Sequence, residues 1–161
     1  MNKFVITGGP GVGKTKVLEV LAAQGHPVIP EVARTIISEE QHKEKINADY
    51  QPILPWTNLE QFQNVVLERQ IQEEATLNKM MISRNSFPFL DRSCVDPLAY
   101  VDIGNVPIRP DIYHLIEHAN YTKAFFLHRL PAYANDPQRK ENEQDAMRIH
   151  DKIYEVYDRT G

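Results

Sequence analysis

Four short apolar runs punctuate an otherwise polar chain, and the stretches between them carry helical spacing. Phe4-Val5-Ile6-Thr7, Val28-Ile29, Phe87-Pro88-Phe89-Leu90-Asp91 and Ala124-Phe125-Phe126-Leu127 read as strands 1 to 4. Their brevity and apolar density suit strands buried in a parallel sheet. Between them, Lys16 to Ala23 is rich in helix formers, with Val17, Val20 and Leu21 at spacings of three and four. Gly25 stands where a helix C-terminus wants a left-handed residue. Val32 to Ile37 looks helical, and His42 to Thr57, polar and broken by Pro52 and Pro55, reads as a loop. Asn58 is a plausible cap for a long helix from Leu59 to about Met81, apolar on two adjacent faces. A short helix follows over Asp96 to Val101, with Asp96 as cap and Pro97 at its first position, ended by Gly104. Another covers Asp111 to Asn120, and a charged final helix ends near Tyr157. Strand, helix and strand within the first thirty residues form a βαβ unit, which dictates a parallel sheet and a right-handed crossover.

The loop inside that unit gives the chain its candidate chemistry. Gly8-Gly9-Pro10-Gly11-Val12-Gly13-Lys14-Thr15 fits G-x-x-x-x-G-K-[ST], placed after a strand and before a helix as a phosphate-wrapping loop must be. Glycines let backbone N–H groups turn inward to cradle an anion, and the helix aims its positive end at the same point. Gly8 through Lys16 are therefore the expected nucleotide-binding residues. Lys14 should reach the β- and γ-phosphates, and the Thr15 hydroxyl should ligate Mg²⁺. Asp91, an acid ending an apolar strand, is the expected second metal-side residue.

Other positions keep two readings open. Glu31, after strand 2, could accept a proton from an acceptor hydroxyl or orient it, or could be a helix-start acid complementing the dipole. Arg34 could meet a phosphate or lie in water. Arg92 has the fork geometry for a phosphate, and could equally sit in a buried pair with an acid. Arg139, on a lid-like segment spanning about 129–148, is the first choice for an arginine brought over the transferred phosphate; a solvated helix of mixed charge is the alternative. Arg69 could reach substrate or be solvated, and Trp56 could cover a pocket or anchor the surface. His114 and His118 have the spacing of a metal pair, but no third ligand accompanies them, so they read as solvated. Cys94 reads as a packing residue.

Composition narrows the partners. The chain has 161 residues, 42% hydrophobic and 25% charged, enough for one domain with a real core. A net charge of −4 argues against nucleic acid as partner. One cysteine fits a reducing cytoplasm, and no apolar run approaches a membrane span.

With these residues in hand, the sequence resembles the small stand-alone P-loop ATPase/kinase domain family that is similar to the nicotinamide riboside kinase domain of the bacterial NAD-biosynthesis regulator. The resemblance spans nearly the whole chain. It is carried by V-I-T-G-G-P-G-V-G-K-T at 5–15, H-P-V-I-P-E-V-A-R at 26–34, F-Q-N-V-V-L-E-R-Q at 62–70, F-L-D-R-S at 89–93, D-P-L-A-Y at 96–100 and N-D-P-Q-R at 135–139. Asp91-Arg92-Ser93 is also similar to the E-R-S of deoxynucleoside kinases, where the acid serves the metal and the arginine the reacting phosphates. The resemblance implies a three-layer α/β P-loop NTPase of nucleotide-kinase type, with parallel strands ordered 2-3-1-4-5. It implies ATP or GTP with Mg²⁺, and a small-molecule acceptor bound between Glu31 and Arg92. The chain stops at Gly161 without the usual fifth strand, through truncation or through loss of that edge. The expected order is then 2-3-1-4, with strand 4 exposed and room for a homodimer that covers it. Two functions follow as expectations: a Mg-dependent phosphotransferase acting on a nucleoside or similar hydroxyl compound, or an ATP/GTP-dependent switch with slow hydrolysis.

Overall fold

A computed structural model describes residues 2–77, 87–129 and 142–160. Its strands are β1 (Phe4–Thr7), β2 (Val28–Ile29), β3 (Phe89–Asp91) and β4 (Lys123–Phe126), all parallel, in the order β2-β3-β1-β4. Its helices are α1 (Lys14–Ala23), α2 (Val32–Ile46), α3 (Leu59–Leu77), α4 (Asp96–Gly104), α5 (Pro110–Glu117) and α6 (Glu143–Thr160).

The strand order dictates the layers. The β1-to-β2 crossover moves one way along the sheet, whereas β2 to β3 and β3 to β4 move the other way. Right-handed crossovers therefore put α1 on one face and α2 to α5 on the opposite face. Register brings the carboxyl ends of β1 and β3 side by side, with Ile6 opposite Asp91. Ligand sites of open α/β sheets form at such ends.

Local signals explain most element ends. Gly25 has φ +88 and closes α1 with its N–H on the Ala22 carbonyl. Asn58 caps α3 by accepting the Gln61 N–H through Oδ1 at 3.0 Å. The main core lies between α3, α4, α5 and α6, where Leu67, Leu98, Ile112, Ile153 and Val156 are buried together. Burying each such side chain contributes roughly 1.5–3 kcal/mol before the entropy of ordering it. A second cluster, Val32, Ile36, Phe62 and Val66, joins α2 to α3.

Three expectations need correction. Helix α2 continues to Ile46, so the first part of the expected loop is helical; Glu40, 5% exposed, anchors it by accepting from Lys43, Tyr50 Oη and the Ile53 N–H. Strand β4 is not buried: it alternates exposed and half-buried positions, and Phe125 is 40% exposed. It is an edge strand among the described residues, as the strand order requires. Asp96 does not cap α4 from outside but forms its first residue. No described helix is long and apolar enough to cross a membrane.

A buried polar cluster with no signal in the linear sequence ties the start of β1 to α3. Lys3 Nζ donates to Glu74 Oε2 at 2.7 Å, and Gln70 and Tyr121 both donate to Glu74 Oε1. Cys94 packs beside it, with its N–H on Tyr121 Oη, and burial pushes its thiol up to about 12. It is a packing residue, inert toward thiol chemistry at neutral pH.

Candidate functional site

The glycine loop runs from the end of β1 to the start of α1 in a shape that only glycine tolerates at three of its positions. Gly8, Gly11 and Gly13 have φ +131, +76 and +89. The loop divides into two halves. Gly8 and Gly9 are gripped by the protein itself. A Cβ on Gly8 would lie 2.7 Å from the Leu127 carbonyl oxygen, and one on Gly9 would lie 2.6 Å from His150 Cβ. The Gly9 N–H donates to His150 Nδ1 at 3.1 Å. Beyond Pro10, by contrast, the N–H groups of Gly11, Val12, Gly13, Lys14 and Thr15 meet no acceptor among the described residues. Five successive open amides at a helix N-terminus form an anion nest.

Lys14 lies folded over the other side of the loop. It is 4% exposed, and Nζ donates to the Gly8 and Gly9 carbonyls at 3.0 and 2.9 Å. Burial, and then the charge of Arg92, draw it down to about 7, against the pull of Glu31, Asp91 and Asp96. Thr15 is exposed at the first turn of α1. Lys16 turns away: its side chain pairs with Glu19 in solvent, and its amide closes on the Gly13 carbonyl.

Asp91 ends β3 next to this loop and is 6% exposed. Its Oδ1 is buried with no hydrogen-bond partner among the described residues. Burial, and then the negative charge of Glu31, push its carboxyl up to about 6. An orphaned carboxylate oxygen within electrostatic reach of a phosphate-type loop is what a hard divalent cation would satisfy. The donor set therefore fits Mg²⁺, with Asp91 and the Thr15 hydroxyl as the residues that would hold it.

The same raised acid carries a stability cost. Unfolded Asp91 titrates near 3.8 and folded Asp91 near 6, so the native state holds the extra proton between those values. This group's contribution is most favourable below about pH 4 and falls as pH rises through 6. Asp91→Asn is expected to resist urea better than wild type at pH 7, with the difference closing toward pH 4. A variant weaker than wild type at pH 7 would contradict this origin of the shift.

Arg92 occupies the left-handed region at φ +73, a costly conformation for a long side chain. The geometry sends its guanidinium between two acids. Nε donates to Glu31 Oε1 and Nη1 to Asp96 Oδ1, each at 3.0 Å. Burial works to raise Glu31, yet Arg92, with Lys14 and Arg34 behind it, holds that carboxyl down at about 2. Glu31 stands at the N-cap position of α2 without a side-chain cap hydrogen bond, its carboxylate turned to Arg92 instead. Arg34 lies 3.6 Å from Glu31 Oε2.

Asp96 is the residue the linear sequence undervalued. It is 1% exposed and collects donors from four residues: Thr7 Oγ1 and Arg92 Nη1 on Oδ1, the Ser93 N–H, Ser93 Oγ and Tyr157 Oη on Oδ2. One carboxylate thereby joins the ends of β1 and β3 to α4 and α6. Its place in D-P-L-A-Y marked it only as a helix start. Nothing in the spacing linked it to Tyr157, sixty-one residues on.

The remaining expected residues scatter. Arg139 and most of the lid-like segment lie outside the described residues. Arg129 pairs with Glu143, and Arg69 bridges Glu39 and Glu73 at the surface. Trp56 is 43% exposed on an open hollow shared with Tyr50 and Leu54, away from the loop. His114 and His118 are exposed, and among the described residues no cluster of metal-ligating side chains forms.

Comparisons with known proteins fit this geometry. A family model described as an AAA domain matches residues 3–161. Among solved structures, a deoxyadenosine kinase from M. mycoides with bound dATP superposes with a TM-score of 0.52. The match covers 98% of this chain and 84% of that one at 13% identity, a likeness of fold. No curated protein matches the chain.

Proposed function

The chain belongs to the AAA-domain family, and from that premise we propose that it is a Mg-dependent, nucleoside triphosphate-binding phosphotransferase acting on a nucleoside or similar small hydroxyl compound. The observation that carries the reading is the row of five open amides beside buried Lys14, with the orphaned Asp91 oxygen across from it. The open amides and Lys14 receive the polyphosphate of ATP, or of GTP. Asp91 and the Thr15 hydroxyl would hold Mg²⁺, which would supply positive charge against the transferring phosphoryl group. Arg92, Glu31 and Asp91 form the wall that faces the γ-phosphate, with the acceptor beside the Glu31–Arg92 pair. Glu31 is ionised throughout the neutral range and orients the acceptor hydroxyl through a hydrogen bond, since an acid at about 2 is too weak a base to hold its proton. Arg139 is the further residue we assign to charge compensation at the transferred phosphoryl group.

The reported likeness to a deoxyadenosine kinase supports a nucleoside among the first acceptors to try, and the resemblance at 89–93 supports the same. Nicotinamide riboside belongs in that panel. Residues 1–161 act as one P-loop domain in a reducing cytoplasm, and the exposed β4 edge supports a homodimer that covers it.

One observation favours a second reading. The Arg92 guanidinium is already paired with both Glu31 and Asp96, a fixed arrangement rather than a poised one. A nucleotide-dependent switch would need no free acceptor site. Coupled ADP release across a nucleoside panel separates the two. Phosphotransfer predicts turnover that rises with one acceptor and stops when Mg²⁺ is chelated. Slow hydrolysis indifferent to every acceptor would establish the switch instead.

A further inference from the structure

His150 reaches the phosphate loop from the far end of the chain. It sits on the buried stripe of α6 with Ala146, Ile149, Ile153 and Val156, and is 8% exposed. Nδ1 lies 3.1 Å from the Gly9 nitrogen. A backbone N–H can only donate, so Nδ1 must be unprotonated and the ring neutral with its proton on Nε2. One further contact fixes the imidazole, and two more fix Gly9. Phe126 packs on it with ring centroids 4.7 Å apart. The space above Gly9 is filled by His150 Cβ and Cα, which a Cβ at Gly9 would meet at 2.6 and 3.0 Å. On the other side of the same residue, Lys14 Nζ holds the Gly9 carbonyl. Gly9 is therefore gripped at both its N–H and its C=O, immediately before the open amides begin.

We propose that His150 is a positioning residue of the nucleotide site: by accepting the Gly9 N–H it fixes the first half of the phosphate loop, so that the second half presents its open amides in a ready-made nest. The proposal rests on the phosphate-site reading above and adds to it a residue from α6. Preorganised donors bind an anion better than donors that must first be ordered.

The charged surroundings support a neutral ring. Burial lowers the His150 pKa; Arg129 and His128, leaving β4, and Lys14, from α1, push the same way, and Asp151, on its own helix, opposes them. A protonated ring would offer an N–H to an N–H and would add a second cation beside Lys14. The grip on Gly9 is therefore lost in acid.

Three proteins test this: wild type, His150→Asn, whose Oδ1 can accept the same N–H without titrating, and His150→Leu, which has no acceptor. In ¹⁵N-labelled apoprotein, the Gly9 amide shift should follow the His150 ring through its titration in wild type and stay flat in H150N. Binding of a fluorescent ATP analogue should weaken about 5- to 20-fold in H150L at pH 7.5, the size of one lost hydrogen bond plus some loop ordering. H150N should bind within about twofold of wild type, by the same reckoning. Only wild type should lose extra affinity below pH 6; the ratio to H150N cancels titration of the nucleotide and of Asp91. A merely structural histidine would move the melting temperature of both variants and leave that ratio flat. A Gly9 amide indifferent to His150, or an H150L protein that binds as wild type does, would overturn the inference while nucleotide binding stands. Wild type that binds no nucleotide would overturn the phosphate-site reading and the role of His150 with it, even where the amide titration still reports the contact.

Discussion

Lys14→Ala should lower nucleotide affinity roughly 10- to 150-fold, the equivalent of a charged hydrogen bond of about 1.5–3 kcal/mol. Any phosphoryl transfer should fall further, by about 10²–10³, because the lysine charge counts most where negative charge builds. The side chain rests on the Gly8 and Gly9 carbonyls, beside the open amides of the same loop. A second readout separates this loss from unfolding. Free Lys14 titrates at about 7 against 10.5 unfolded, so between those values the unfolded chain holds a proton that the native chain lacks. Lys14 therefore costs stability most below pH 7, and the cost fades as pH rises toward 10.5. The alanine variant should be no less stable than wild type at pH 7. Nearby phosphates raise the lysine pKa, so wild type at pH 8 should take up a proton on binding nucleotide, and the variant should not. Calorimetry in two buffers of different ionisation heat measures that proton. Affinity unchanged in the variant would refute the phosphate site outright.

Asp96→Ala should be the most damaging single change for the fold. It leaves Thr7, the Ser93 amide and Tyr157 without their acceptor and strands half of a buried guanidinium. Breaking a buried pair by removing one partner costs about 3–5 kcal/mol. A domain of ordinary stability has only about 5–15 kcal/mol in hand. Urea denaturation should show the loss, with a melting temperature lower by on the order of 10 °C. Asp96→Asn, which keeps one acceptor oxygen, should fall between. A loss below about 1 kcal/mol for alanine would mean that these donors find other partners.

These two residues mark the limits of reading the chain by eye. Lys14 was legible because its loop, strand and helix follow one another within twenty residues, and local geometry fixes their relation. The strands and the Gly25 and Asn58 caps were legible for the same reason, since period and propensity are local rules, whereas the order 2-3-1-4 was implied only by the family resemblance. Asp91 stood out once the loop was known. Asp96 and His150 did not, because their partners lie sixty-one and 141 residues away. Tertiary packing alone decides such pairs. Helix α2 ran past its expected end because Glu40 draws Tyr50 and Ile53 back onto it, a bond with no linear signature. Strand β4 read as buried because Phe125 and Phe126 are apolar, yet edge strands carry exposed aromatics too.

The wedge of Gly8 and Gly9 between Leu127 and His150 bears on how this signature persists in evolution. Its first two glycines are demanded by the protein's own packing, since any larger side chain would collide with main chain or with the root of a neighbouring side chain. A saturation scan would score both positions as intolerant, and that intolerance would reflect steric exclusion rather than contact with a ligand. A descendant that had lost all affinity for nucleotide would still conserve them, whereas Lys14 and Thr15 would be free to drift.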